Sequence, residues 1–472
     1  MALTNFEGFE RYQSYTAVKD FINTPFGPSN VAGVVTPTIV SGPTARNQLS
    51  CLSMISSRQD STYNPNNSGV QTRYHKNFYP KVAIPFRDNI NEGVIGFAYH
   101  YSKPIDGRWG DGVSVFTPFA CITDANYRPH FYLCATNNGT VQIRAWNTSS
   151  VLDDTLTSVG FSAINDFRSQ SICVEYAFQY FGPPICTRFV DEPHNLVTVG
   201  SGADSNLSID PSKFILLGTS SINNPLIQDN WNYIELKYKL DNTSLAENGG
   251  FLELKINRSA NSVANDLYLN KIRNTYQSIN TASNAVFGVV WGHRSDSSPS
   301  AGNAANLGWR TLIDDFYSIK SVSGQVDLNN FLGVVSCEKS PYSSFVQNTF
   351  ASGDLQSISE PFAGSDSFVT PSGNGSLIAD DQEQIANFNV NINTNKNIVA
   401  IQPVVHAFAP SSLTKLNFSL LFGSLKTSQS GLSISSNSNG GITYGPVYSR
   451  DINGNIFTDL TLNNHAIKHE VS

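Results

Sequence analysis

The stretch Trp231–Asn257 reads WNYIELKYKLDNTSLAENGGFLELKIN, and its patterning decides the fold class. Ile234, Leu236, Tyr238 and Leu240 alternate with Glu235, Lys237 and Lys239. After a polar, Gly-containing turn, Leu252, Leu254 and Ile256 alternate with Glu253, Lys255 and Asn257. Successive side chains of a strand point to opposite faces, so a period of two predicts a hairpin with one buried and one wet face. The expectation is residue-specific. Ile234, Leu236, Leu252, Leu254 and Ile256 belong inside, and Lys237, Lys239 and Lys255 belong in water. A slip of one residue would reverse all of these assignments.

Strand signals continue on both sides of the hairpin. KVAIPF, GVIGFAYHY, VSVFTPFACI, HFYLCAT and VQIRAW precede it from Lys81 onward, separated by polar turns such as ATNNGT and RWGDG. SICVEYAFQYF, NLVTVG and SKFILLGT carry the rhythm up to it. NAVFGVVWG (284–292) is apolar on both faces, which predicts a central strand covered on each side. TLIDDFYSIK (311–320) adds a strand with two adjacent acids. Short strands at close spacing predict an all-β sandwich. AVKDFINT, NDLYLNKIRN, LNNFL and ADDQEQIANF allow short helices, but none carries a sustained apolar stripe. Helix is therefore expected well below the usual third.

A chain of 472 residues exceeds what one core serves, so more than one domain is expected. Prolines and glycines punctuate residues 1–50, an irregular lead-in with short strands. Residues 51–340 form the expected sandwich. Beyond Leu332 the texture changes to Ser, Asn, Asp and Gly before two firm strands, NIVAIQPVVHAFA and LTKLNFSLLFG, so residues 341–472 are read as a C-terminal β-rich domain.

Composition excludes several function classes. Charged residues make up 14% of the chain against a usual quarter, so Asn, Ser, Thr and Gly build the polar surface. A net charge of −7 without a basic cluster argues against a nucleic-acid groove. No run approaches the ~18 apolar residues of a membrane span. MALTNFEGFERYQ lacks the basic and apolar regions of a secretory signal, so synthesis in a cytoplasm and release by another route, such as lysis, are expected. The six cysteines include Cys121/Cys134 and Cys173/Cys186, each bracketing a turn. A hairpin disulfide is geometrically open to either pair, but free buried thiols are expected in a cytoplasmic chain of this size.

Few constellations suggest chemistry. Asp314 and Asp315 are adjacent on a strand, so they should face opposite ways and cannot serve one bond as paired glycosidase acids do. One of them should bond backbone or arginine. DGRWGDG (106–112) sets Trp109 between Asp106 and Asp111 on a glycine-loosened turn. This is a candidate glycan-binding loop, since a sugar stacks on an aromatic ring while carboxylates accept from its hydroxyls. Trp109 packing beneath its own loop is the structural alternative. Tyr127, Arg128 and His130 suit a ligand site or a subunit contact equally. DINGN (451–455) mimics the start of a calcium loop but lacks its closing Glu, and reads as a turn. The sequons at Asn147 and Asn242 carry no meaning without a secretory route. His100, His293 and His406 lie in strand patterns as structural residues. No catalytic residue, cofactor site or metal site is assigned, because no nucleophile-elbow, Walker, dinucleotide or zinc-protease motif is present.

Four short motifs occur in a telling order: GFERY (8–12), WNYIELK opening at Trp231, IDDFY (313–317) and FLGVV (331–335). RDINGNIFTDLTLNNHAI (450–467) follows as a closing strand region. The set resembles the concanavalin A-like, jelly-roll β-sandwich domains of bacteriophage virion proteins. This chain departs from them in its Ser/Asn-rich middle and in lacking a tryptophan near the C-terminus. The resemblance implies a non-enzymatic structural component of the virion, assembled in the host cytoplasm. A tail fibre or tail-associated protein is the first expectation, with possible attachment to host-surface glycan. A head decoration or head-fibre protein, or a polysaccharide depolymerase on the same scaffold, are the alternatives. Other virion proteins, a host-surface polysaccharide and further copies of the chain are the implied partners. A homotrimer is the first choice for a fibre with so uncharged a surface.

Overall fold

The structure is a computed structural model that describes residues 3–9, 38–41, 45–46, 50–55, 78–101, 116–125, 129–136, 138–146, 197–198, 208–209, 214–240, 250–272, 281–290, 310–322, 330–337, 342–348, 383–388, 398–407, 415–422, 424–433, 441–458, 462 and 465–471. Every element longer than a single turn among these residues is a strand. The chain is all-β, as the alternation predicts.

The larger unit spans Ala2–Glu7 and Ile22–Ser336 and is built from two antiparallel sheets. The first sheet runs, in spatial order, through Leu267–Ile272 (β14), Gly250–Ile256 (β13), Asn230–Lys239 (β12), Glu92–Tyr101 (β5), Arg310–Lys320 (β16), Ser50–Ile55 (β3) and Thr38–Ser41 (β2). Leu3–Glu7 (β1) also pairs with β16. The second sheet runs through Phe214–Thr219 (β11), Val141–Trp146 (β8), Pro129–Thr136 (β7), Phe116–Thr123 (β6), Ala282–Val290 (β15) and Phe78–Ile90 (β4). Val197–Thr198 (β9) and Ser208–Ile209 (β10) form a separate short pair.

Aromatic rings join the two sheets. Tyr99 of β5 stacks on Phe119 of β6 at 4.2 Å, and Phe97 meets Phe287 of β15 edge-on at 5.0 Å. Phe316 of β16 packs against Phe287 at 6.3 Å and Phe86 of β4 at 6.4 Å. Offset and edge-to-face rings of this kind fill the layer between the facing sheets of a sandwich. This is the concanavalin A-like sandwich that the motifs imply. Residues directly opposite on neighbouring strands share a face. Ile234, which pairs with Phe97, therefore points inward, as do Leu236 and Tyr238.

The hairpin forms with the expected residues facing inward, and Ile234 lies opposite Ile256, Leu236 opposite Leu254 and Tyr238 opposite Leu252. All five predicted core residues are fully buried. The wet half of the expectation needs correction. Lys237 and Lys239 are only half-exposed, and Lys255 is buried, as is Glu235. A later segment of the chain covers Glu235 and Lys255, as described below. Residues 284–287 on β15 are buried on both faces, although the strand lies next to the sheet edge rather than at its centre. Two stretches that allowed helices are strands. NDLYLNKIRN supplies β14, and ADDQEQIANF supplies Glu383–Phe388 (β18), because each finds a partner strand whose ladder outweighs a weak local preference. AVKDFINT lies outside the described residues.

The smaller unit contains Cys337–Ser472 together with Met1 and Gly8–Phe21. One antiparallel sheet orders Tyr342–Asn348 (β17), β18, Ala466–Val471 (β23), Lys415–Phe422 (β20) and Leu425–Ser433 (β21). Val404–Ala407 (β19) pairs with Gly441–Tyr444 (β22). Phe9, Phe418, Leu420, Phe457, His465 and Ile467 are among its fully buried side chains.

Candidate functional site

The outer face of the first sheet holds a cluster of ionisable and phenolic side chains. Alternation on β12 and β13 sends Tyr233, Glu235 and Lys255 away from the core, and the register adds Asp314 and Tyr317 of β16 to the same face through their partners on β5. Gly96 makes room for this layer. A Cβ there would meet the Tyr317 ring at 2.1 Å, so only glycine lets the ring lie across β5.

The segment Phe331–Val335 crosses over this face. Glu235 Oε1 accepts from the Tyr317 hydroxyl and from the amides of Leu332 and Gly333, the latter two at 2.9 Å. Gly333 adopts φ +78, and a Cβ there would lie 2.4 Å from the Ala260 nitrogen, so the motif's glycine is required twice over. The Lys255 ammonium sits 4.2 Å over the Phe331 ring and donates to the Ser262 carbonyl at 2.6 Å.

The paired acids sit in a β-bulge. Asp314 is opposite Ala98 and Tyr317 opposite Gly96, so Asp315 and Phe316 together face only Phe97. Asp315 takes φ +49, a conformation that Asp tolerates better than most residues. Its carboxylate is bound by Arg46, which also donates to the Val335 carbonyl at 2.7 Å and lies 5.2 Å over the Tyr233 ring. Tyr233 in turn donates to the Asp315 carbonyl at 3.0 Å. Asp314 Oδ1 accepts from the Asp315 amide at 2.8 Å, while Oδ2 has no partner among the described residues. The expected bonds to backbone and arginine are therefore both present. Simple alternation across the pair is not, because the bulge interrupts it.

Burial dominates the electrostatics. It pushes the Asp314 carboxyl up to about 9, helped by the neighbouring charge of Asp315. Glu235 is raised by burial, against the pull of its three donors and of Lys255. Burial lowers Lys255, partly offset by Glu235 and Glu253. Tyr317 is pushed well up by burial and by the charge of Glu235. With the segment in place, this cluster is a lock whose acids are each capped by donors or cut off from solvent.

The glycan-binding candidates Trp109, Asp106 and Asp111 lie outside the described residues, as do Tyr127, Arg128, His293, Asn147 and Asn242. His130 is buried, with Nε2 3.0 Å from the Thr281 carbonyl. His100 meets Trp231 edge-on at 5.5 Å. DINGN is the expected turn: Asp451 accepts from the amides of Asn453 and Asn455 at 2.9 and 2.7 Å. Cys51, Cys121, Cys134 and Cys337 are buried free thiols, and Cys173 and Cys186 lie outside the described residues. No group of three metal-ligating side chains occurs among the described residues. Tyr317 and Arg46 were not singled out from sequence, and Glu235 and Lys255 entered it only as polar positions of the hairpin. The available signal was the order of the WNYIELK, IDDFY and FLGVV motifs, since one residue or more from each meets in the lock.

No protein-family model matches the chain, and no curated protein does. Among solved structures, it is similar to the alginate lyase vAL-1 from Chlorella virus, at 9% identity and a TM-score of 0.33, covering 68% of this chain and 100% of that one. It is also similar to the PL-14 alginate lyase from Aplysia kurodai, at 10% identity and a TM-score of 0.32, with the same coverage. A β-1,3-1,4-glucanase (lichenase) from a mouse hindgut metagenome gives 10% identity, a TM-score of 0.29, and coverage of 67% and 99%. All three are enzymes, and the expectation that this chain is not one is corrected accordingly. The physical reason lies in the motif argument itself. Missing nucleophile, nucleotide and zinc motifs exclude only the reactions those motifs serve, whereas other sites assemble from residues on separate strands with no short signature.

Proposed function

We propose that the chain is a bacteriophage virion protein of the tail apparatus, a tail fibre or tail-associated protein, whose sandwich engages polysaccharide at the host surface. One observation carries the reading: the virion-type motifs occur in order, and three of them interlock. Glu235 comes from WNYIELK, Tyr317 from IDDFY, and Leu332 and Gly333 from FLGVV. Residues that must fit one another across about a hundred positions constrain a family more tightly than any single motif does. The low charge of the surface suits a chain buried among many copies, and a homotrimer is the assembly proposed. Trp109 flanked by Asp106 and Asp111 is the proposed glycan contact, with the ring as stacking platform and the acids as acceptors.

Particles purified from a lysate test the assignment. Heads and tails are separated, each fraction is analysed by mass spectrometry, and intact particles are imaged with a labelled antibody. The expected result is a signal on the tail. A signal on the head would replace the tail assignment with head decoration, and absence from particles would end the virion reading. Incubation of the purified chain with host polysaccharide then reads binding and the release of new chain ends together.

A further inference from the structure

Tyr233, Glu235 and Lys255 point away from the core, yet all three are buried, and the segment Phe331–Ser336 is what covers Glu235 and Lys255. Among the described residues the segment joins no strand ladder and is held by point contacts. Two amides meet one carboxylate oxygen of Glu235, Gly333 makes an isolated bridge to Ser259, Lys255 caps the Phe331 ring, and Arg46 holds the Val335 carbonyl. Beyond Ser336 the chain leaves the sandwich for the smaller unit.

We propose that Phe331–Ser336 is a releasable strap, closed on the ionisable face by Glu235, Lys255 and Arg46, whose opening uncovers that face without unfolding the sandwich. The rings that join the two sheets lie on the opposite side of the first sheet, so lifting the strap leaves Phe97, Tyr99, Phe119 and Phe287 in contact. The groups it uncovers are ionisable and regain hydration, which offsets the bonds lost. Burial holds Glu235 above and Lys255 below their ordinary ranges, the mark of desolvation by the closed strap. Around Glu235 stand Tyr317 and Lys255; around Lys255 stand Glu235, Glu253, Lys237 and Arg258; and around Asp314 stand Asp315, Arg46 and Glu7. The device does not depend on the virion assignment.

Hydrogen–deuterium exchange on the full chain tests it. The peptide covering residues 330–337 should exchange at least about tenfold faster than the β12 and β16 peptides, as local opening requires. Glu235→Gln weakens the charge-assisted bonds, and Phe331→Ala removes the ring under Lys255. Each should speed strap exchange by about tenfold more, with the β6 and β15 peptides unchanged. Labelling of Lys255 by an amine-reactive reagent, read by peptide mass spectrometry, should rise in parallel. Strap amides exchanging at the β12 rate in the wild-type chain, or a Phe331→Ala strap no faster than wild type, would overturn the proposal. Those two measurements decide it even where Glu235→Gln does not fold.

Discussion

Glu235 and Gly333 stand 98 residues apart in the chain and are joined by a 2.9 Å hydrogen bond from the Gly333 amide to the Glu235 carboxylate. The bond ties a charged position of the hairpin's outer face to a glycine with positive φ. The same oxygen also holds Tyr317 and Leu332, so one carboxylate gathers three separate stretches of chain.

Gly333→Ala tests the close approach. An alanine would keep φ +78 at a cost and place its Cβ 2.4 Å from the Ala260 backbone nitrogen. Together these should cost more than about 2 kcal/mol, read as a lower denaturant midpoint. A wild-type midpoint would show that the glycine is not seated against Ser259 and Ala260.

Arg46→Met removes the cation from Asp315, whose side chain is 1% exposed. Losing the cationic partner of so buried a carboxylate costs about 3–5 kcal/mol, and the partial exposure of Arg46 places the effect at the lower end. Adding Asp315→Asn should recover most of the loss, because Asn tolerates the same backbone conformation and carries no charge. A double variant as unstable as the single one would mean that packing, not charge, dominates at Arg46.

Asp314→Asn should remove a pH dependence. The folded-state value of Asp314 is raised from 3.8 to about 9, so the folded chain holds this proton more tightly than the unfolded chain does. The associated stability is complete below about pH 4 and is lost as pH rises toward 9. Melting curves of the two proteins should nearly coincide at pH 4, and the variant should melt progressively higher than wild type up to pH 9. A constant difference across that range would show that Asp314 is ionised throughout.

Trp109→Ala addresses the proposed glycan contact. Loss of an aromatic platform should abolish measurable binding to host polysaccharide while assembly into particles is retained. Unchanged binding would remove this loop from the proposed site.

The inward half of the hairpin was legible because burial imposes a period of two, and a single strand carries that signal whatever its neighbours are. DINGN was legible for a similar reason. An aspartate that bonds amides two and four residues onward is a local device, and its five residues contain all of its partners. The strand at Leu267–Ile272 was not legible, since its pattern suits a short helix as well, and only pairing with β13 resolves the choice.

Sequence alone determined the class of fold, the inward-facing residues of β12 and β13, and the presence of motifs whose order was informative. Tertiary structure alone decided what the motifs do. It buried Glu235 and Lys255 on a face that alternation assigns to water, opened a bulge between Asp314 and Tyr317, and brought Arg46 onto Asp315. The physical reason is range. Alternation and turn chemistry act between residues a few positions apart, whereas desolvation and ion pairing depend on which distant segment covers a face, and no local pattern encodes that.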